Sequence, residues 1–312
     1  MTTNIKMHLP KLPPKAAYLL IDNPARRNAL SLATLQSLHS QLTAHLTPPK
    51  TSQPLSLPPF QPSFLKTLQT AADKDSDHPH SWLVRTADWN SSSLPSVMVL
   101  RPSTAGKVFS SGHDLGELAS LGPAEVDKTF SLCAELMTLL RHSPVPIVAA
   151  VDGLATAAGC QLALAADVTI ASARSAFQLP GAALGLPCTS PAVALARRLP
   201  PGLVQRMLYT GEAVSAAELA SVGAVEVVPG EDGAAFEDRL ASVVDSMAAQ
   251  AAQPRALAKW AYWTQVGMRE KGDGLEDALR WAGEVMALHA RGGDAREGMA
   301  AFLEKRKPVW KT

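Results

Sequence analysis

Hydrophobic positions along the chain alternate between short continuous runs and longer stretches with helical spacing. The runs at 16–21, 97–100 and 146–151 have the length and composition of buried strands. After Ser31, which is a favourable helix cap, leucines recur about every three or four residues. A stretch that begins near Pro123 also places its apolar side chains on one helical face. This alternation of strands and helices predicts an α/β fold.

The rest of the chain continues this pattern and then becomes helical. A helix rich in small residues is predicted at 157–165, followed by strands at 168–171 and 224–228. The remaining apolar spacing predicts four helices, near 234–251, 254–268, 275–290 and 295–305. We therefore expect a core of residues 1–250 and a C-terminal helical region of residues 251–312.

Residues 47–95 interrupt the core with eight prolines interleaved with Ser, Thr and Gln. This composition predicts a surface insertion that is partly disordered. The insertion also contains Asp73, Asp75, Asp77, His78 and His80, which raises the alternative of a metal loop. An EF-hand would need glycine at position 78 and glutamate at position 84, where the chain has histidine and valine. A solvated acidic loop is therefore the favoured interpretation.

Charge, hydrophobicity and cysteine content limit the binding partners and the cellular compartment that can be expected. A formal net charge of +1 gives no broad field to attract nucleic acid or an anionic membrane. No apolar run approaches the ~20 residues that a membrane span needs. The three cysteines, Cys133, Cys160 and Cys188, lack metal-ligand spacing and favour a reducing intracellular compartment. The N-terminus has no secretory apolar region and the C-terminus lacks the Ser-Lys-Leu peroxisomal signal, which leaves mitochondrial and cytoplasmic locations open.

Three stretches carry a family resemblance. Residues 108–115 read Val-Phe-Ser-Ser-Gly-His-Asp-Leu, residues 146–167 include Ala-Gly-Cys-Gln-Leu, and residues 297–308 read Glu-Gly-Met-Ala-Ala-Phe-Leu-Glu-Lys-Arg-Lys-Pro. Together they resemble the motifs of the enoyl-CoA hydratase/isomerase (crotonase) family over most of 16–46 and 97–312. The resemblance implies a spiral of β-β-α units with a C-terminal helical trimerisation region, assembled as a homotrimer or a dimer of trimers.

The ligand that this family implies is an acyl thioester of coenzyme A, so coenzyme A enters with the substrate and no separate cofactor or metal is expected. Thioester chemistry builds negative charge on the carbonyl oxygen, and two backbone N–H groups can stabilise that charge. The resemblance assigns these donors to His113 and Ala158, the second at a helix N-terminus. A tight packing turn between strand and helix would use the same small residues. Ser110, Ser111, His113 and Asp114 follow one another along a turn and cannot form a catalytic triad.

The resemblance also implies contacts with the rest of acyl-CoA. They are expected from Arg26, Arg27, His113, Asp114, Leu115, Gly116, Ala158, Phe302 and Lys305. Basic side chains suit the phosphates of coenzyme A, and Phe302 and Lys305 could belong to a neighbouring subunit's site. The alternative for Lys305 is a solvated helix end, where cations are favoured in any case.

The chain departs from the family at both catalytic glutamates. Gln161 occupies the first position and Gly181 the second. An amide does not titrate, and a positioned acid or base typically contributes ~10²–10⁴-fold in rate. His113 and Cys188 are the nearest candidates for substitutes. Three functions stay open: a lyase or isomerase of non-standard mechanism, an inactive acyl-CoA-binding protein, and a regulatory oligomer that docks through the insertion.

Overall fold

The computed structural model describes residues 10–49, 53–73, 78–230, 233–267, 274–290 and 293–309. The strands within these ranges are β1 (Ala16–Ile21), β2 (Val97–Pro102), β3 (Val108–Ser110), β4 (Ile147–Val151), β5 (Leu154–Thr156), β6 (Val168–Ser172), β7 (Ala176–Gln178), β8 (Val214–Ser215) and β9 (Glu226–Val228). The predicted strands of the core are all present, with ends that differ from the sequence-based limits by at most a few residues.

The helices are α1 (Leu32–Leu46), α2 (Phe64–Asp73), α3 (Thr86–Ser92), α4 (Leu115–Ser120), α5 (Pro123–His142), α6 (Ala158–Ala165), α7 (Thr189–Leu195), α8 (Pro201–Thr210), α9 (Ala216–Ser221), α10 (Gly233–Ala248), α11 (Ala252–Val266), α12 (Leu275–Ala290) and α13 (Gly293–Leu303). Short 3₁₀ helices lie at Pro24–Arg26, Ser81–Leu83 and Pro180–Leu184. The four helices predicted for the C-terminal part of the chain correspond to α10–α13.

The strands form two sheets. The larger sheet has the order β1-β2-β4-β6-β9 and is parallel throughout. The smaller sheet has the order β3-β5-β7-β8, and only its β7–β8 pair is antiparallel. From β2 to β7 the chain therefore alternates between the sheets, and each pair of strands is followed by a helix. This winding confirms the predicted spiral of β-β-α units, whereas trimerisation through the C-terminal helices stays a prediction.

Helix α6 is packed unusually closely against the smaller sheet. Seven of its residues, from Ala158 to Leu164, are buried. A β-carbon added to Gly159 would lie 2.5 Å from the carbonyl oxygen of Ser110 in β3, so glycine is required for this approach. The small side chains thus bring the N-terminus of α6 beside the end of β3.

The insertion differs from the sequence-based expectation. Its described part contains α2, α3 and a 3₁₀ helix, and it buries Leu57, Phe60 and Leu83 in a cluster with Ala256 and Trp260 of α11. These residues therefore pack into the fold, which the expectation of a surface insertion did not anticipate, whereas the partial disorder predicted for 47–95 stays a prediction. The apolar residues between the prolines pack on a helix about 200 residues away in sequence, a partner that local composition does not reveal. The division of the chain near residue 250 stays a prediction.

The acidic stretch, for which a metal loop was the less favoured alternative, lies partly outside the described residues, since Asp75 and Asp77 are not among them. The N–H of His80 donates to Nδ1 of His78 at 3.2 Å. Across the described ranges, no group of three or more histidine, cysteine or acidic side chains is arranged to hold a metal ion. In the same part of the chain, no helix has the length and apolar character needed to span a membrane.

Candidate functional site

The loop at 23–30 is joined to the turn that follows β3. The N–H of Ser111 donates to the Arg27 carbonyl at 3.1 Å, and the N–H of Leu30 donates to the Gly112 carbonyl at 2.7 Å. These two bonds hold the loop and the turn side by side. Arg26 and Arg27 therefore lie exposed at the surface beside the residues of the first family motif.

The turn after β3 touches the turn before α6. Gly112 has φ +80°, and a β-carbon there would lie 2.8 Å from Cβ of Ala157 and 3.2 Å from N of Ala158. Ala157 itself has φ 50° and ψ −122°, which an L-residue rarely adopts. The two motifs that the sequence singled out thus meet in space, and the contact leaves no room for a side chain at position 112.

The two backbone N–H groups of interest flank this contact. Ala158 is the first residue of α6, where the helix leaves N–H groups without intrahelical partners. In the described ranges, neither the Ala158 N–H nor the His113 N–H donates to a backbone carbonyl. Within the described residues, neither N–H is therefore committed to a backbone acceptor.

The His113 side chain faces an apolar surface. Its Nδ1 lies 3.3 Å from the Leu30 carbonyl, and its ring meets Phe130 edge-on with centroids 4.9 Å apart. Loss of hydration lowers the pKa of His113 to about 4, so the ring is neutral at pH 7. Because Nδ1 faces a carbonyl, Nδ1 carries the hydrogen and Nε2 is left as an acceptor. Phe130 belongs to a cluster with Leu118, Val126, Leu186, Met286, Ala287, Ala290 and Met299.

Asp114 and Leu115 contribute mainly to the local structure. Asp114 caps α4, because its Oδ1 accepts a hydrogen bond from the Glu117 N–H at 3.1 Å. Its Oδ2 lies 3.9 Å from Nε of Arg26, a side chain that is 65% exposed. Leu115, the first residue of α4, packs against the Phe130 cluster. These contacts fix the direction in which the chain leaves the turn.

The end of α13 lies close to the start of α4 and to Arg26. A β-carbon on Gly116 would be 3.8 Å from both Cδ2 of Leu303 and a guanidinium nitrogen of Arg26. Phe302 is 56% exposed, and Lys305, with φ 55°, is exposed just beyond the helix. The third motif, residues 297–308, therefore lies beside the first motif, residues 108–115, within the same chain. Whether Phe302 and Lys305 also serve a neighbouring subunit stays a prediction.

Gln161, at the position of the first family glutamate, is completely buried. Its Nε2 donates to Oγ of Ser190 at 3.2 Å. The side chain lines an internal cavity of about 30 Å³ together with Arg141 and Trp263. The structure therefore gives Gln161 a hydrogen-bonding role between α6 and α7.

Gly181, at the position of the second glutamate, has no room for a side chain. A β-carbon there would lie 2.8 Å from both N and Sγ of Cys188, and closer still to the Leu186 carbonyl oxygen. Burial raises the pKa of Cys188 to about 11, and it also raises the pKa of the neighbouring Cys160. Cys188 is thus a neutral packed thiol at pH 7, which argues against a reactive thiolate.

Comparison with known proteins gives the family. The sequence model of the enoyl-CoA hydratase/isomerase family matches residues 92–312, more than half of the chain. The chain belongs to this family. Its relatives include the rat protein named "Enoyl-CoA hydratase domain-containing protein 3, mitochondrial", which is 35% identical over 294 residues, 94% of this chain and 80% of the relative.

Other members of the family extend the comparison. The crotonyl-CoA hydratase of Syntrophomonas wolfei is 30% identical over 222 residues, 68% of this chain and 80% of that enzyme. The crystal structure of human enoyl coenzyme A hydratase domain-containing protein 3 has 32% sequence identity and a TM-score of 0.60, with 94% of this chain and 95% of that chain covered. The spiral fold is therefore that of enoyl-CoA hydratases.

Three residues of the site were not anticipated from the enoyl-CoA hydratase/isomerase motifs. Ala157 carries the unusual turn, Phe130 covers His113, and Ser190 binds Gln161. An alanine gives no sequence signal for a positive φ, because glycine is the residue normally found there. The other two contacts join elements that are distant in sequence, so residue spacing alone could not reveal them.

Proposed function

We propose that this chain binds an acyl-CoA thioester, with the thioester carbonyl oxygen between the N–H groups of His113 and Ala158. The observation that carries the proposal is the contact of the two turns at Gly112, which places both donors on neighbouring stretches of backbone. The N-terminus of α6 adds a partial positive charge at the same place. Such fixed donors favour the negative oxygen of an enolate over the neutral carbonyl.

The surroundings suit the remaining parts of acyl-CoA. Arg26 and Arg27 present exposed guanidinium groups beside the turn, where they can bind phosphate oxygens. The Phe130 cluster lies next to His113 and offers apolar contacts to an acyl chain. Met286 and Met299 in that cluster are unbranched and can adapt to acyl groups of different shape.

The reaction in this proposal is polarisation of the thioester toward its enolate, as in a lyase or isomerase, without two carboxylates. A second candidate is acyl-CoA binding without turnover. The closed backbone at Gly181 favours this second function, because a glutamate side chain does not fit there. Wild-type protein is expected to hydrate crotonyl-CoA no faster than a Gly112→Ala variant does. Hydration well above that level would contradict the loss of two-glutamate chemistry.

A direct test of the carbonyl site compares two ligands of the wild-type protein. Butyryl-CoA has the thioester carbonyl, whereas S-butyl-CoA is a thioether of the same length without it. Two hydrogen bonds to the carbonyl should make butyryl-CoA bind at least about tenfold more tightly in isothermal titration calorimetry. Equal affinities would show that no carbonyl site exists, whatever the affinity for coenzyme A itself.

A matched pair of variants tests the same site independently. Gly112→Ala places a methyl group against Ala157 and Ala158, and should abolish the preference for butyryl-CoA. Gly230→Ala has a similar positive φ, +88°, but no atom within 4 Å of the added carbon, and should keep the preference. Circular dichroism establishes that both variants are folded. A folded Gly112→Ala protein that still prefers the thioester would refute the proposal.

The same family membership supports proposals for assembly and location. We infer a homotrimer or a dimer of trimers, and a mitochondrial location, which is supported by relatives whose names describe them as mitochondrial. Sedimentation velocity of the full chain should give three or six copies per particle. Cell fractionation should recover the protein with mitochondrial markers, and recovery only with cytosolic markers would contradict the inferred location.

A further inference from the structure

A second cavity, of about 510 Å³, lies between α11 and the segments that lead into β4 and β6. Its wall contains Asp167, Arg197, Arg198, Arg255, Lys259 and Tyr262. None of these residues belongs to the turns at Gly112 and Ala158. The cavity is thus distinct from the thioester site and unusually rich in cationic side chains.

Two of the cations donate to carbonyls near the ends of other helices. Nζ of Lys259 lies 2.9 Å from Oδ2 of Asp167 and 3.2 Å from the Leu140 carbonyl, near the end of α5. Its side chain is only 9% exposed. The guanidinium of Arg198 donates to the carbonyls of Ala166 and Asp167, just after α6. Both side chains are therefore held in place by the backbone.

Arg255 reaches the cavity from α11. It donates from Nε to the Ala251 carbonyl at 3.3 Å, and from a terminal nitrogen to the Met247 carbonyl at 2.6 Å, near the end of α10. A guanidinium has five N–H donors and an ammonium has three. Arg198, Arg255 and Lys259 each have more donors than these bonds use, so donors remain for a ligand.

The charges around the cavity do not balance. Asp167 is the one carboxylate in its described wall, and its Oδ2 already accepts from Lys259 and from the Ile147 N–H at 2.9 Å. Three helix ends add about half a negative charge each, so that with Asp167 they offset about two and a half positive charges. An excess of about one and a half positive charges remains on Arg197 and the three cations Arg198, Arg255 and Lys259. Burial lowers the pKa of all three cations. An anion in the cavity would offset this cost of burying positive charge.

We propose that this cavity is a binding site for the diphosphate group of a small molecule, supplied either as free pyrophosphate or as a nucleoside diphosphate. Guanidinium groups bind phosphate oxygens in pairs, and cations converge here from α11 and from the residues just after α7. The ring of Tyr262 is 52% exposed at the edge of the cavity and could stack on a base. Arg198 also caps the end of α6 opposite Ala158, so an occupied site contacts the helix that carries the thioester donor.

The site is tested by titrating the full chain with pyrophosphate and with adenosine diphosphate at low ionic strength. Arg255→Gln should weaken the binding of both ligands about tenfold, because it removes charged hydrogen-bond donors. Arg239→Gln makes the same change of charge on exposed α10, where Arg239 pairs with Glu226, and should bind as wild type does. Raising the salt concentration should weaken binding.

A double variant, Arg26→Gln with Arg27→Gln, separates this site from the phosphate contacts of acyl-CoA. It should bind pyrophosphate normally and bind butyryl-CoA less tightly. Tighter binding of adenosine diphosphate than of pyrophosphate would identify a nucleotide as the source, and equal binding would identify the free anion. Absence of binding to wild type, or loss of binding in the double variant but not in Arg255→Gln, would overturn the proposal and leave the thioester site untouched.

Discussion

The sulfur of Cys188 lies 2.8 Å from the point that a β-carbon on Gly181 would occupy. The position of the second family glutamate is therefore closed by neighbouring atoms, in addition to lacking a side chain. Since Gly181 and Cys188 are both buried, the contact cannot be relieved by a shift into solvent. Restoration of the glutamate at this position would require the 3₁₀ helix at Pro180–Leu184 to move.

Gly181→Ala should test this closure. The added carbon meets backbone atoms of Leu186 and Cys188, and such overpacking costs about 2–3 kcal/mol. The control, Gly202→Ala, lies in α8 with no atom within 4 Å, and should be neutral or more stable by up to about 1 kcal/mol. Urea denaturation measures both free energies of unfolding. Equal stability of the two variants would show that position 181 is open.

Gln161→Glu should destabilise the protein without creating a hydratase. The new carboxylate would be buried beside the Ser190 hydroxyl, so its charged form would cost on the order of 3 kcal/mol. The folded-state pKa of this carboxyl would rise, so the penalty should grow as pH increases above about 4.3. Gln250→Glu, an exposed change of the same charge, should cost little. Hydration of crotonyl-CoA by the Gln161→Glu variant would contradict the expectation.

The core and the site motifs could be predicted because their signals are local. Buried strands are short apolar runs, and the limits of β1 follow directly from the run at 16–21. A close backbone contact requires glycine at 112 and small residues in α6, and both are visible in the sequence. The contact of the two turns at Gly112 and Ala158 was expected from the family resemblance, and residue spacing alone would not have predicted it.

The remaining features depend on partners that are distant in sequence. The packing of Phe60 requires Trp260 of α11, and proline-rich composition gave no indication of that partner. The closure of Gly181 depends on how the chain turns back at Leu186 and Cys188. The positive φ of Ala157 could not be predicted from its residue type, because alanine also fits an ordinary α-helix.

His113 should make the stability of the fold depend on pH. Its pKa is about 4 in the folded chain, against about 6.5 when unfolded, so the unfolded state binds more protons between these values. Stability should therefore be complete above pH 6.5 and fall toward pH 4, by at most about 1.4 kcal/mol per pH unit. The variant His113→Gln should show a shallower slope. An imidazole NMR signal of His113 that titrates near pH 6.5 would contradict this account.

The packing of the insertion on α11 should be sensitive to Trp260. Its side chain is 6% exposed, and its indole N–H donates to the Pro59 carbonyl at 3.1 Å. Trp260→Ala should cost about 3–5 kcal/mol and should make residues 47–95 the first site of limited proteolysis. Val266→Ala, on the same helix but 55% exposed, should cost less than about 0.5 kcal/mol. Unchanged proteolysis in Trp260→Ala would argue against this packing.

Strain at Ala157 predicts a substitution that stabilises the fold. A non-glycine residue in such a conformation costs about 1–3 kcal/mol, and glycine removes that cost. Glycine also gives the unfolded chain more freedom, which offsets about 0.4–1 kcal/mol. Ala157→Gly should therefore be about 1 kcal/mol more stable in urea denaturation. The control Ala155→Gly, in the interior of β5, should be less stable, because its alanine needs no such relief.

The same variant separates strain from donor placement. Ala157→Gly keeps both N–H groups but removes the methyl that Gly112 approaches, so the turn before α6 can move. If the alanine holds the Ala158 N–H at the correct angle, the variant should gain stability and lose part of its preference for butyryl-CoA over S-butyl-CoA. A gain of stability with an unchanged preference would mean that the packing of α6 through Gly159 positions the donor by itself.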